Sequence, residues 1–162
     1  MFTNQSQTIE ELEKLCRCSG FVIYREYEGK IQYLLVETYQ KKFYFSFPKG
    51  RRETGEDLIT TAKRELLEET GVTDGAIECD YKTYYVETLK VKNADGVFYN
   101  KPHICMFLAK LIDPKFTLAP QDLKEVKSVK WLTDKEISGM VTEFSWQRRS
   151  ITRQVQLHLE ML

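Results

Sequence analysis

One short stretch of this chain gathers side chains suited to hard cations. Gly50-Arg51-Arg52-Glu53-Thr54-Gly55-Glu56 is followed, seven residues on, by Arg64-Glu65-Leu66-Leu67-Glu68-Glu69-Thr70-Gly71-Val72, and six acidic residues fall within seventeen positions. The segment from Glu56 to Thr70 holds no Gly or Pro and runs into Gly71, which predicts a helix ending in a glycine cap. At about 100° per residue, Glu65, Glu68 and Glu69 share an arc of about 100° bordering the apolar arc of Leu58, Ala62 and Leu66. Glutamates this close repel one another unless cations sit among them, and their oxygens suit Mg²⁺ or Mn²⁺. Arg64 stands one helical turn before Glu68 and can fix one carboxylate while the others bind metal. Upstream, Pro48-Lys49-Gly50 offers backbone groups and a lysine to a phosphate or a metal. A run of glutamates alone would be a solvated helix face, so the spacing has to carry the argument.

The elements needed to position these groups follow from the local patterns. Ile9, Leu12 and Leu15 predict a short helix within a polar extension, residues 1–18. The runs Phe21 to Tyr24 and Tyr33 to Val36 flank Glu28-Gly29 and predict two strands joined by a turn, with a third strand from Phe43 to Phe47. Ile77 to Val91 and Val97 to Leu111, joined through Asp95-Gly96, predict a long hairpin. Val129 to Leu132 is one more short strand, Thr133-x-x-Glu136 is a capping box for a brief helix, and Ile151, Val155 and Leu159 mark the stripe of a last helix. Strands feeding one central helix, then a hairpin, then a terminal helix make an α/β sandwich with a mixed sheet over residues 19–162.

Composition narrows the function classes. At 162 residues one domain is expected, and 42% hydrophobic residues exclude the disordered, collagen-like and coiled-coil classes. The longest uncharged apolar run, Ile104 to Ala109, is far short of a membrane span, so no membrane partner is expected. Lys plus Arg and Asp plus Glu number 24 each, leaving no global field to draw in nucleic acid, so an anionic ligand must meet a local cluster. The four cysteines form no C-x-x-C pair and read as free thiols in a reducing compartment, the cytoplasm or the nucleus.

The acidic stretch resembles the Nudix box, G-x5-E-x7-R-E-U-x-E-E-x-G-U with U a bulky aliphatic residue. Gly50, Glu56, Arg64, Glu65, Leu66, Glu68, Glu69, Gly71 and Val72 meet every fixed position. The resemblance implies an α/β/α sandwich and metal-assisted hydrolysis of a nucleoside diphosphate linked to another group. Its metal ligands would be the Gly50 carbonyl with Glu65, Glu68 and Glu69. Arg64 would orient the glutamates, and Glu56 would support the loop rather than take a proton.

A second resemblance runs from about residue 20 to the C-terminus. Phe47-Pro48-Lys49-Gly50, Tyr99-Asn100-Lys101-Pro102, Phe107-Leu108-Ala109-Lys110, and Glu125 ahead of Trp131-Leu132 are similar to animal-type diadenosine tetraphosphate hydrolases. It implies that Glu125 completes the metal site as ligand or base, that Lys49 and Lys101 meet the polyphosphate, and that Tyr99 and Phe144 lie near a base pocket. Arg51, placed as in Nudix enzymes acting on diphosphoinositol polyphosphates, is a further candidate to bind phosphate. The expected partner is a small nucleoside polyphosphate handled by a monomer. Phe45-Ser46-Phe47 departs from the Trp-Thr-Pro usual in that group, which bears on base selectivity. Diphosphoinositol polyphosphates and capped RNA are alternative substrates, although the chain lacks a basic extension for RNA, and a non-catalytic nucleotide-binding module is the alternative of another class.

Overall fold

The computed structural model of the chain describes residues 7–162, so residues 1–6 of the expected extension lie outside the described part. Among the described residues, eight strands form one mixed sheet in the order β3-β2-β1-β7-β5, with β4 on β1, β6 on β7 and β8 on β2. The strands are β1 Cys18–Tyr27, β2 Lys30–Thr38, β3 Phe45–Ser46, β4 Lys49–Arg51, β5 Ile77–Glu78, β6 Tyr84–Lys92, β7 Phe98–Leu111 and β8 Val126–Thr133. Only β1 and β7 pair in parallel, with Cys18 opposite Ile104 and Tyr24 opposite Lys110. The helices are α1 Ile9–Leu15, α2 Leu58–Thr70, α3 Asp134–Ser138 and α4 Trp146–Glu160. None is long and apolar enough to cross a membrane.

Alternation along the central strands produces the two cores of an α/β/α sandwich. Phe21, Ile23, Cys105 and Phe107 point to one face and bury Leu12 of α1 and Leu58, Ala62 and Leu66 of α2. Val22, Tyr33, Ile104 and Met106 point to the other and bury Ile137 of α3 with Ile151 and Val155 of α4. All four cysteines are free thiols, and burial pushes that of Cys16 up to about 12.

Several expected boundaries move, each for a local reason. The strand expected from Ile77 to Val91 breaks at residues 79–83: β5 pairs with Lys110 and Leu111, and β6 starts only at Tyr84. At the break, the Asp80 side chain accepts from the Lys82 amide at 2.8 Å and Tyr81 takes a left-handed backbone with φ 58°. Its ring thereby packs on Phe107, with centroids 5.3 Å apart. The strand expected from Phe43 to Phe47 shrinks to two residues because Phe43 and Phe45 donate to the carbonyls of Thr142 and Glu143. Helix α2 begins at Leu58, since the Asp57 side chain accepts from the Thr60 amide as N-cap and leaves Glu56 outside the helix.

The described part of the extension is not separate from the domain. Helix α1 opens with a capping box at Thr8 and Glu11, buries Leu12 completely and leads straight into β1. At the far end of α2, Gly71 sits at φ 78°, and a Cβ there would stand 2.5 Å from the Ala119 carbonyl oxygen. Left-handed backbone strain alone costs a non-glycine residue about 1–3 kcal/mol. Gly71→Ala is expected to lower stability by at least that much in denaturant titration, and a loss below about 0.5 kcal/mol would contradict this packing.

Candidate functional site

Strand β4 crosses the N-terminal part of β1, with Gly20 opposite Lys49 and Cys18 opposite Arg51, and lies against α2. Gly50 makes this approach possible: a Cβ there would fall 2.2 Å from the Glu65 carboxylate. Only glycine lets that carboxylate lie on the strand backbone. One turn on, the Lys49 amide donates to Oε1 of Glu69 at 2.9 Å. Both carboxylates are nearly out of solvent, Glu65 at 8% exposure and Glu69 at 6%.

The carboxylate of the third functional element arrives on a loop. The amides of Gln121 and Asp122 donate to the Glu68 carbonyl at 2.8 and 2.9 Å, and that of Ala119 to the Thr70 carbonyl at 2.8 Å. The carbonyls at the end of α2 thus dock residues 119–122. Asp122 then turns the chain by accepting from the amides of Lys124 and Glu125. Glu125 consequently shares one cleft of about 600 Å³ with Glu65, Glu69, Lys49, Gly50, Arg51 and Lys124.

Arg64 organises the surrounding acids. Its guanidinium takes both oxygens of Glu56, at 2.8 and 2.9 Å, reaches Glu65 at 2.9 Å and Glu68 at 3.3 Å, and donates to the Arg51 carbonyl at 2.8 Å. The two-pronged pair with Arg64 holds the Glu56 carboxyl down to about 2. Glu69 goes the other way: desolvation by burial, followed by the Glu65 charge, pushes it up to about 8. Burial also raises Glu65, with Glu68 and Glu125 adding repulsion against the pull of Arg64.

This donor set fits a divalent metal. Carboxylate oxygens crowd one wall, the Gly50 cradle brings backbone against them, and their mutual repulsion is what a hard cation relieves. Among the described residues no three His, Cys, Asp or Glu side chains are drawn into a closed ligand shell. Glu68, expected to act with Glu65 and Glu69, is half-exposed toward Arg64 and does not line the cleft.

Of the residues expected to meet substrate, Lys49 and Arg51 line the cleft. Phe144 does not, and here the expectation is corrected: it is fully buried, edge-on to Phe47 with centroids 5.2 Å apart, and anchors the second core. Tyr99 and Lys101 are exposed on the outer part of the β6–β7 hairpin and also lie outside the lining. Ile104 is level with Arg51 across β1, so at about 3.3 Å per residue Tyr99 lies some 17 Å further along β7. The lining residues absent from the expected set are Thr38, Tyr39, Gln40, Ser46 and Lys124, with Tyr39 63% exposed at the rim. Tyr39 and Gln40 follow the end of β2 in a polar loop that gives no periodic signal, and the β2–β3 pairing turns that loop toward Gly50.

Comparison with known proteins gives the family and the fold. The NUDIX domain model matches residues 17–155. A bis(5'-nucleosyl)-tetraphosphatase (asymmetrical) of Caenorhabditis elegans is 30% identical over 102 residues, 60% of this chain and 67% of that protein. The crystal structure of a C. elegans Ap4A hydrolase binary complex superposes with a TM-score of 0.72 at 25% identity, covering 91% of this chain and all of that one. A Nudix hydrolase from M. Smegmatis shares the fold at 13% identity, with a TM-score of 0.67 over 91% of this chain and 87% of its own.

The raised Glu69 carboxyl has a consequence for stability. A carboxyl whose folded value lies above its unfolded value of about 4.5 destabilises progressively as pH rises from there toward 8. Glu69→Gln keeps an oxygen for the Lys49 amide and removes the charge. With a chelator present, its melting temperature is expected to match wild type near pH 4.5 and to exceed it at pH 8. A variant melting below wild type at pH 8 would contradict the assignment.

Proposed function

Because this chain belongs to the NUDIX family and is a Nudix hydrolase, we propose that it cleaves a phosphoanhydride bond in dinucleoside polyphosphates, with magnesium as cofactor and diadenosine tetraphosphate as the preferred substrate. ATP and AMP would be the products. The observation that carries the reading is a single cleft in which three carboxylates, Glu65, Glu69 and Glu125, face three cations, Lys49, Arg51 and Lys124, with an aromatic ring, Tyr39, at its rim. The name and activity of the C. elegans relative support the same substrate class.

Each group has a defined task in that reaction. Lys49, Arg51 and Lys124 balance the charge of the phosphate chain and orient it along the cleft. Tyr39 offers its exposed ring to a base, a contact worth about 1–3 kcal/mol. Glu65, Glu69 and the Gly50 carbonyl, with Glu125 opposite, would hold the divalent ions. When bound, magnesium would supply charge neutralisation to the phosphate chain and would lower the pKa of the attacking water. The proton of that water passes to one of the cleft carboxylates. Glu56 is not the acceptor, because Arg64 takes both its oxygens and holds it ionised. Arg64 instead fixes Glu65 and the Arg51 carbonyl relative to each other.

Hydrolysis of diadenosine tetraphosphate, a diphosphoinositol polyphosphate and capped RNA should be compared under millimolar Mg²⁺ with products identified. Diadenosine tetraphosphate is expected to be turned over fastest, giving ATP plus AMP. Glu65→Gln is expected to lower kcat by about 100-fold or more, since each 1.36 kcal/mol of lost stabilisation is a factor of ten. Tyr39→Ala is expected to raise KM by about 5- to 100-fold with a smaller change in kcat. Faster cleavage of another member of the panel would reject the substrate, and a Glu65→Gln variant as active as wild type would reject the site.

A further inference from the structure

Helix α1 reaches the box segment through a set of contacts that the sequence separates by 36 to 45 residues. The Glu13 carboxylate accepts from the Leu58 amide with both oxygens, each at 3.1 Å, at the first residue of α2. A negative charge there meets unpaired amides and the positive end of the helix. The same carboxylate pairs with Arg52 at 3.0 Å. The Arg52 guanidinium also donates to the Glu13 carbonyl at 2.5 Å, the Cys16 carbonyl at 3.3 Å and the Glu56 carbonyl at 2.9 Å. Its own amide donates to the Arg17 carbonyl at 3.0 Å. One arginine therefore ties the end of α1, the start of β1 and the turn carrying Glu56 together.

From that turn the connections continue into the cleft. Glu56 accepts from the Glu53 amide and the Thr61 hydroxyl, each at 2.9 Å, and grips Arg64, which holds Glu65. Helix α1 is itself fixed by the buried Leu12 and Cys16. The Tyr84 hydroxyl donates to the Gln7 carbonyl just ahead of it.

We propose that helix α1 is a working part of the metal site, with Glu13 and Arg52 as positioning residues that hold residues 50–57, and through Glu56 and Arg64 the Glu65 carboxylate, in ligating position. The proposal rests on the hydrolase reading for its purpose, and its geometry stands on the contacts among α1, the start of β1, the turn of residues 52–57 and α2. Residues outside the ligand shell that orient ligands typically change metal affinity or activity by about 10- to 100-fold when substituted.

The test uses the full chain without nucleotide and compares Glu13→Gln, Arg52→Met and the control Val155→Ala, whose site is buried in α4 on the other side of the sheet. Three quantities are read: the Mn²⁺ dissociation constant from the electron paramagnetic resonance signal of free ion, the melting temperature, and amide hydrogen exchange over residues 50–58. Glu13→Gln and Arg52→Met are expected to weaken Mn²⁺ binding about tenfold and to speed exchange at Arg52, Glu53 and Leu58. Val155→Ala is expected to lower the melting temperature while leaving Mn²⁺ affinity and this exchange at wild-type values. Wild-type Mn²⁺ affinity in both α1-contact variants, or an equal loss in Val155→Ala, overturns the proposal. Failure of the hydrolase reading looks different: weakened Mn²⁺ binding in the two variants of a protein that cleaves no phosphoanhydride leaves the positioning role standing. A wild-type protein that binds no Mn²⁺ overturns both.

Discussion

Two carboxylates one turn apart, Glu65 and Glu69, are packed against a strand backbone with almost no access to water, and the rest of the molecule answers to that constraint. Removing an ionised carboxyl from water is costly unless charge or hydrogen bonds compensate. Here the compensation is partial: Arg64 reaches one oxygen of Glu65, and a single backbone amide reaches Glu69. Gly50 removes the atom that would push the first carboxylate away. The remaining deficit raises the Glu69 carboxyl far above its ordinary value, and it is a deficit that a hard cation would relieve.

The fold supplies what those two residues cannot. The sheet brings β4 beside the N-terminal part of β1, α2 packs its apolar stripe into the first core, and the carbonyls at the end of α2 dock the loop that delivers Glu125. Arg64 pairs with the outer acids Glu56 and Glu68 at 2.8 and 3.3 Å and so holds them beside the cleft. The cationic residues Lys49, Arg51 and Lys124 meet the carboxylates across one space, an arrangement suited to a polyanion whose phosphates must be held next to bound metal.

The parts legible in the sequence were those written in periodic or fixed-spacing patterns. The helix that carries the glutamates, its glycine cap at Gly71, the capping box at Thr133 and the strands over residues 21–24 and 33–36 each follow from a local rule and lie where expected. Distant partners follow from no such rule. Glu13 and Arg52 meet only because α1 folds back on the start of α2, and the loop of Tyr39 and Gln40 reaches the cleft only through the β2–β3 pairing. Phe144 shows the converse: an aromatic residue reads alike in a core and at a base pocket until its burial is known. The break before Tyr84 needed the left-handed turn at Tyr81, for which the sequence carries no glycine.

The most direct test is a crystal of the protein grown with Mn²⁺ and measured for anomalous scattering. The account expects anomalous peaks within about 2.0–2.6 Å of oxygens from Glu65 and Glu69, facing Glu125 across the cleft. Peaks confined to other carboxylates, with Glu65 and Glu69 left only to Arg64 and the Lys49 amide, would contradict it.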